Sequence, residues 1–317
     1  MDTPFSTSAV RRYGNRRHHS DTSFSDLLGS CQHGLRVSTR KGNLSMLAKI
    51  SEYAGGDVPV GMIDTDFCVG FADFLLRSVK ANSARTYLQK LHALLHHAVR
   101  RGLLPCNPMP PISDMLPKYR APEREFLDRD EIRRLEISPC PHEATKAAFL
   151  FACHTGLRIS DIETLSWGDI RKQNGRYIIS KIQVKTGVEV RVPVDAAAEG
   201  ILNRLQDGRT PSACDRVFHL MSRTMVSQDL NAWTAAAGIG KHVTFHVARH
   251  TFATLMISQK TDIYTVSQLC GHTNIQTTMV YVRLVDSARF AAMDGLDALF
   301  GYSRHRKPVR LLLPAYR

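Results

Sequence analysis

The stretch HTGLRISDIETLSW, His154 to Trp167, decides how the second half of this chain is read. Apolar residues recur at Leu157, Ile159, Ile162 and Leu165, a spacing that predicts a helix with one buried stripe. Arg158 stands among them, just past Gly156, at the mouth of that helix. A helix N-terminus already carries partial positive charge, so a cation there is locally unfavourable. Such an arginine lies on the surface, pairs with a carboxylate such as Asp161 or Glu163, or faces an anion brought from outside.

Upstream of this stretch, a helix is expected from about Glu143 to Cys153. Before it, FLDRDEIRRLE offers Asp128 as N-cap with Glu131 three residues on, a capping-box pattern. Further back, LPCNPMPPISDMLPKYRAP carries prolines at 105, 108, 110, 111, 117 and 122, which excludes regular helix or central strand and marks a linker. The first third reads as helical: about Arg40 to Ala54, a segment after Asp64 with Phe67, Phe71, Phe74 and Leu75 at helical spacing, and NSARTYLQKLHALLHHAVRRGLL ending at Gly102. The last of these has an apolar side from Tyr87 to Ala98. Its other face, with Arg85, Thr86, Lys90, His92, His96, Arg100 and Arg101, is either a solvated surface or a phosphate-contacting one.

Downstream the period changes. GRYIISKIQVKTGVEVRVPV predicts a β-hairpin or small antiparallel sheet with Lys185 in the turn. Helices resume at about 196–205, 227–237, 244–258, 262–270, 275–284 and 287–300. The fold class is therefore mainly α with a small antiparallel sheet. The expected division is a basic flexible arm over 1–34, a helical domain over 35–107, a linker over 108–124, a second domain over 125–300 and a basic tail over 301–317.

The chain of 317 residues has 42 Lys+Arg against 29 Asp+Glu, a net charge of +13, which puts a polyanion first among partners and nucleic acid first among polyanions. No apolar run reaches about 18 residues, so no transmembrane helix or membrane partner is expected. The N-terminal residues lack the apolar core of a secretory signal, and Arg11, Arg12, Arg16 and Arg17 are placed to touch phosphates. Seven cysteines without a CxxC pair suggest reduced thiols and a cytoplasmic protein, with no zinc or other metal site.

Reactive residues then gather where the fold does not require them. VTFHVARHTFATL sets His246 and Arg249 on one helix face, with His250 beside them; LCGHTNIQTTMVYV sets His272 after Gly271 and Tyr281 nine positions later. Taken singly, each has a structural explanation. Taken together, they suit one reaction. Two guanidiniums can grip the non-bridging oxygens of a phosphodiester, and a tyrosine can attack its phosphorus. Histidines can move the nucleophile's proton, and a lysine can protonate the leaving oxygen. No carboxylate cluster suited to Mg²⁺ accompanies them.

These segments, in this order, resemble the tyrosine recombinase (phage integrase) family over roughly residues 35–300, in wording closest to its Bacteroidetes-like branch. The resemblance implies a two-domain, C-shaped DNA clamp, with a SAM-like helical core-binding domain before a mixed α and β catalytic domain. It implies catalytic roles for Arg158, Lys185, His246, Arg249, His272 and Tyr281, with support from Asp161 and His250. Lys181 is the rival for the lysine role. No cofactor is implied. The partners are double-stranded recombination sites, three further copies of the chain (monomer or weak dimer when free) and an accessory directionality protein. The 287–300 helix, with Phe290, Met293, Leu296 and Phe300 on one side, either packs on its own domain or docks on a neighbouring protomer. The short basic arm fits a resolvase or invertase, and an integrase of a mobile element stays open. Rival readings are a type IB topoisomerase-like nicking-closing enzyme, a DNA-binding regulator that never cuts, and a metal-dependent nuclease.

Overall fold

A computed structural model describes residues 21–118 and 124–282, together with Met293, Leu296, Asp297, Leu299 and Phe300. They fall into two compact units divided between Pro122 and Glu123. The first unit is helical: α1 (Phe24–Ser30), α2 (Val37–Ala54), α3 (Thr65–Ser78), α4 (Ala81–Arg100) and the single turn α5 (Ile112–Met115). Asp64 caps α3 by accepting the Phe67 amide at 2.8 Å. From α3, Phe67, Phe71 and Leu75 meet Leu88, Leu91 and Leu95 of α4 in one core. Tyr53 of α2 lies within 5.2–5.7 Å of the rings of Phe67, Phe71 and Phe74.

Two expectations change here. The segment 21–34 is not part of a flexible arm. Ser23 accepts the Asp26 amide at 3.1 Å and opens α1. Phe24, Leu27 and Leu28, one helix face, are buried in the core. The arginines at 11, 12, 16 and 17 do not extend over this triplet, since residues 20–32 carry no lysine or arginine. Residues 1–20, including Arg11, Arg12, Arg16 and Arg17, lie outside the described residues. The expected linker likewise begins inside the unit. Thr65 donates to the Pro108 carbonyl at 2.9 Å, and Met109 and Leu116 are buried in the same core. Pro111 is tolerated because it precedes α5, where no intrahelical N–H is needed. Truncating Phe24, whose side chain is wholly buried, to alanine is expected to cost about 3–5 kcal/mol, read as a lower urea midpoint. A variant as stable as the parent would return α1 to the status of an appendage.

The second unit contains α6 (Arg129–Ile137), α7 (Glu143–Thr155), α8 (Ile159–Glu163), the strands β1 (Ile170–Gln173), β2 (Arg176–Ile182) and β3 (Glu189–Pro193), then α9 (Ala196–Gln206), α10 (Arg223–Ala236), α11 (Phe245–Ser258), α12 (Ile263–Cys270) and α13 (Gln276–Val282). The Asp128–Glu131 capping box forms, with both bonds at 2.8 Å. Phe149 of α7 stands edge-on to Trp233 of α10 and Phe245 of α11 at 5.8 and 5.7 Å, tying three helices into one core.

The sheet is antiparallel in the order β1-β2-β3, with Ile179 opposite both Ile170 and Val192. The expected hairpin thus gains a strand. β1 reads IRKQ, too polar to show a strand period, and pairing with β2 is what makes it one. The quoted stretch also differs from a long striped helix: α8 has five residues. Leu157 before it, Ile162 within it and Leu165 after it all enter the core, as three short segments rather than one helical face. Of the expected 287–300 helix, Met293, Leu296, Leu299 and Phe300 are exposed; Phe290 and the tail 301–317 lie outside the described residues. Among the described residues no helix is long and apolar enough to cross a membrane.

Candidate active site

The turn between α7 and α8 places Arg158. Gly156 ends α7 in the left-handed region at φ 68°. A β-carbon there would come within 2.5 Å of the Phe252 ring, so glycine lets α7 approach α11. Leu157 is buried, and Arg158 follows as the N-cap of α8, half-buried, with extended backbone. Its Nη1 donates to Gln183 Oε1 at 2.5 Å. Burial and the neighbouring Arg249 lower its pKa, while Asp161 opposes them.

Neither carboxylate considered from sequence hydrogen-bonds to this guanidinium among the described residues. Glu163 pairs with Arg223 at 2.7 Å. Asp161 is fully buried, and its Oδ1 accepts the Val184 amide at 2.8 Å. Asp161 therefore holds the β2–β3 turn rather than Arg158 directly. Its Oδ2 has no hydrogen-bond partner among the described residues.

That turn carries Lys185, which is exposed. Lys181, the rival lysine, is half-buried and donates to the Thr164 carbonyl at 3.0 Å and to Asp169 at 2.8 Å. Burial alone would raise the Asp169 pKa, but the bonds from Lys181 and Ser166 outweigh it and leave the carboxylate below its usual range. Lys181 thus fastens β2 to the end of α8.

Helix α11 brings His246, Arg249 and His250. Arg249 is 1% exposed, donating from Nη1 to the Gly156 carbonyl at 2.9 Å and from Nη2 to the Cys270 carbonyl at 2.5 Å. His250 lies one turn on from His246, with ring centroids 4.5 Å apart. His272 follows Gly271, the left-handed cap of α12, and its Nδ1 meets Thr278 Oγ1 at 2.8 Å.

Tyr281 on α13 is 1% exposed, packed among Phe252, Ala253, Ile257, Val266 and Cys270. Its hydroxyl is 2.8 Å from His250 Nδ1. The His272 ring lies nearly parallel to the phenol at 6.4 Å. Arg124 covers the phenol face at 5.7 Å. Burial raises the Tyr281 pKa, helped by Cys270 and opposed by Arg249 and Arg124.

The same surroundings keep all three histidines neutral. Burial is the largest cause for each. His246 is held at about 4, with Arg249, Arg158, Arg124 and Lys185 adding repulsion. His250 is held at about 3 with His246 and Arg124 against it, and His272 at about 3 with Arg249 and Arg158. The six residues expected from sequence therefore form one electrostatic cluster. Because the unfolded chain takes up these protons near pH 6.5 and the folded one only near 3–4, the stability they contribute is complete above pH 6.5 and lost as pH falls toward 4 and 3. His246, exposed at its edge, contributes least. Thermal melts are expected to show a lower Tm at pH 5 than at pH 7.5, with the difference reduced in His250→Asn. An equal or higher Tm at pH 5 would contradict the assignment.

Sequence reasoning missed Gln183 and Arg124. Gln183 is flanked by Ile182 and Val184, and a period-2 reading turns those two inward. The pleat runs the other way: Ile182 and Val184 are 68% and 52% exposed, and Gln183 is 1% exposed. Arg124 follows the proline-rich segment, where no local pattern marks it. Among the described residues no three His, Cys, Asp or Glu side chains group as metal ligands would.

In the first unit, several of the expected DNA-contacting side chains have internal partners. Arg85 donates to the Pro117 carbonyl at 2.8 Å, Lys90 to Asn43 at 2.9 Å and Arg101 to Ser30 at 2.6 Å. Thr86 and Arg100 are exposed on α4, Thr86 donating to the Asn82 carbonyl at 3.0 Å.

Comparison with known proteins places these features. The model of the phage integrase family matches residues 125–287, and that of the phage integrase SAM-like domain matches residues 24–120. Tyrosine recombinase XerC of Neisseria meningitidis serogroup C is 28% identical over 254 residues, 76% of this chain and 81% of the relative. The Tn1549 transposon integrase, solved with transposon right end DNA, superposes with a TM-score of 0.70 at 18% identity, covering 87% of this chain and 99% of that one. A lambda integrase tetramer bound to a Holliday junction gives a TM-score of 0.65 at 19% identity, covering 88% and 81%. With both domain models matched in chain order, over segments that hold every residue of the cluster, this chain belongs to the phage integrase family of tyrosine recombinases.

Proposed function

We propose that this protein is a site-specific DNA recombinase that exchanges strands through a covalent phosphotyrosine. The observation that carries the reading is the Tyr281 hydroxyl, 2.8 Å from a neutral His250 imidazole and inside the electrostatic cluster of Arg158 and Arg249. A phenol whose pKa is raised needs a base to become a nucleophile; His250 Nδ1 is within reach of that proton, and the scissile phosphate's negative charge offsets the cationic repulsion that weakens this imidazole as a base. Tyr281 Oη attacks the scissile phosphorus, the bond from phosphorus to the 5′ oxygen breaks, and Lys185 gives that oxygen a proton. The products are a 3′-phosphotyrosine and a free 5′-hydroxyl. A 5′-hydroxyl from the second site then attacks the same phosphorus and releases Tyr281. The ester keeps the bond energy, so rejoining needs no ATP.

Arg158 and Arg249 supply the charge that stabilises the five-coordinate phosphorus. Their N–H groups not aimed at Gln183, Gly156 or Cys270 face no protein acceptor among the described residues and are available to phosphate oxygens. His246 and His272 flank the same phosphate as hydrogen-bond donors. Exposed Thr86 and Arg100 on α4, with the net charge of +13, suit backbone contacts that position the duplex.

Four copies on two sites, exchanging strands in pairs through a Holliday junction, are the proposed working assembly. Exposed Met293, Leu296, Leu299 and Phe300 supply an apolar surface for a neighbouring protomer to cover in a cyclic arrangement. The proposed setting is the bacterial cytoplasm, on a mobile element or an invertible segment. A nicked suicide substrate, incubated with the protein in EDTA, is expected to trap a protein–DNA adduct that survives denaturation. If wild-type protein yields no adduct on its own site, the recombinase reading is wrong.

A further inference from the structure

We propose that Gln183 is a positioning residue that locks Arg158 and the Lys185 turn into one working arrangement. The inference rests on the recombinase reading above. A glutamine side chain 1% exposed in a protein core must have its polar atoms satisfied, and the partners here are specific. Its Oε1 accepts from Arg158 Nη1 at 2.5 Å and from the Thr186 hydroxyl at 2.9 Å. Its Nε2 donates to the Cys270 carbonyl at 3.0 Å. That carbonyl also accepts from Arg249 Nη2, so one amide links both guanidiniums to the turn that carries the lysine.

The turn is fastened on both sides of Lys185. Before it, the Val184 amide bonds to Asp161; after it, Thr186 bonds to Gln183. Within it, the Gly187 amide donates to the Gln183 carbonyl at 2.8 Å and the Gln183 amide to the Val188 carbonyl at 2.9 Å. On the other side, Gly271 lets the end of α12 come close, since a β-carbon there would lie 2.6 Å from Gln183 Oε1. The cap that precedes His272 is thus shaped around this amide.

Charge explains why the residue is an amide. Arg158 must present its full charge to a phosphate while standing near Arg249. A carboxylate at 183 would hold Arg158 equally well but cancel its charge. It would also set an anion against the Cys270 carbonyl. A neutral acceptor fixes the guanidinium without competing with the substrate.

The test uses full-length protein and two suicide substrates, one normal and one with sulfur replacing the bridging 5′ oxygen. A thiolate leaves without a proton, since thiols ionise near 8.5 and alcohols far higher. The sulfur substrate therefore bypasses Lys185. Gln183→Met fills the same volume without polar atoms, and correct folding is checked by its DNA affinity and melting curve. On the oxygen substrate it is expected to cleave about 10–100-fold slower than wild type, the usual effect of losing an outer support. On the sulfur substrate the share of that deficit owed to Lys185 should disappear and the share owed to Arg158 should remain, because Arg158 is still loose. Lys185→Ala should recover almost fully. Gln183→Glu keeps the bonds to Arg158 and Thr186, so its deficit should be the same on both substrates.

Cleavage by Gln183→Met at the wild-type rate, or an equal deficit on both substrates, overturns the proposal while leaving the recombinase reading intact. Absence of wild-type adduct on both substrates overturns the two together.

Discussion

Tyr281→Phe is expected to bind its DNA site normally and form no covalent adduct at all. The substitution removes one atom, the oxygen that would join to phosphorus, and leaves the phenyl ring among Phe252, Ile257, Val266 and Cys270. The stability cost is confined to the lost hydroxyl bond, about 0.5–1.5 kcal/mol, since His250 Nδ1 loses its partner. A binding isotherm and a denaturing gel separate the two effects in one preparation. His250→Ala should reduce adduct formation by about 10²–10⁴-fold, the range for losing a positioned base, without abolishing it. The contrast matters because the three histidines lie close together: of the three, only His250 touches the hydroxyl, while His272 stacks on the ring and His246 meets the His250 ring edge-on. Residual adduct from Tyr281→Phe would mean that another residue attacks phosphorus.

Much of this site was legible because it is written in short local patterns. His246 and Arg249 share a helical turn, and His272 and Tyr281 flank one short connection, so spacing alone groups them. What escaped depends on partners distant in sequence. Gln183 escapes a local reading because the end of β2 is set by its pairing with β3 and Gln183 itself is held by the Cys270 carbonyl at the end of α12, while Ile182 and Val184 face outward. Arg124 reaches Tyr281 across most of the second unit, a contact no local window contains. Asp161 was legible as a supporting residue, yet its bond to Val184 shows that it holds the lysine turn rather than the arginine. The same limit applies to the fold. The apolar triplet of α1 spans a helix of seven residues, too short to show a clear period, and β1 owes its conformation to pairing rather than composition. Strong patterns, such as the Asp128–Glu131 box, form as the sequence dictates because their bonds close within one turn.

Arg158→Ala and Arg249→Ala are expected to fail for different reasons, although both remove a guanidinium from the same phosphate. Losing either should slow cleavage by at least about 10²–10³-fold, the effect of removing one preorganised donor to a developing anion. Their stabilities should diverge. Arg158 is half-buried at a helix end, near a second cation that already disfavours its charge, and among the described residues the hydrogen bond of its guanidinium is to Gln183. Removing it relieves repulsion as well as a contact, so Tm should barely move. Arg249 is buried between α7 and α12, joining the Gly156 and Cys270 carbonyls. Its removal leaves the Gly156 carbonyl without that donor, weakens the contact at Cys270 and opens a cavity beside Tyr281. An unsatisfied buried polar group costs about 1–3 kcal/mol, so Arg249→Ala should melt several degrees lower. Arg249→Lys should regain part of the stability but little of the rate, since one ammonium cannot reach both carbonyls and a phosphate in the same plane. Measured together, the melts and single-turnover rates separate the two arginines. Arg158 would act almost wholly on the substrate, and Arg249 would act on the substrate while closing the fold around it. Equal losses of Tm in the two alanine variants would contradict that division.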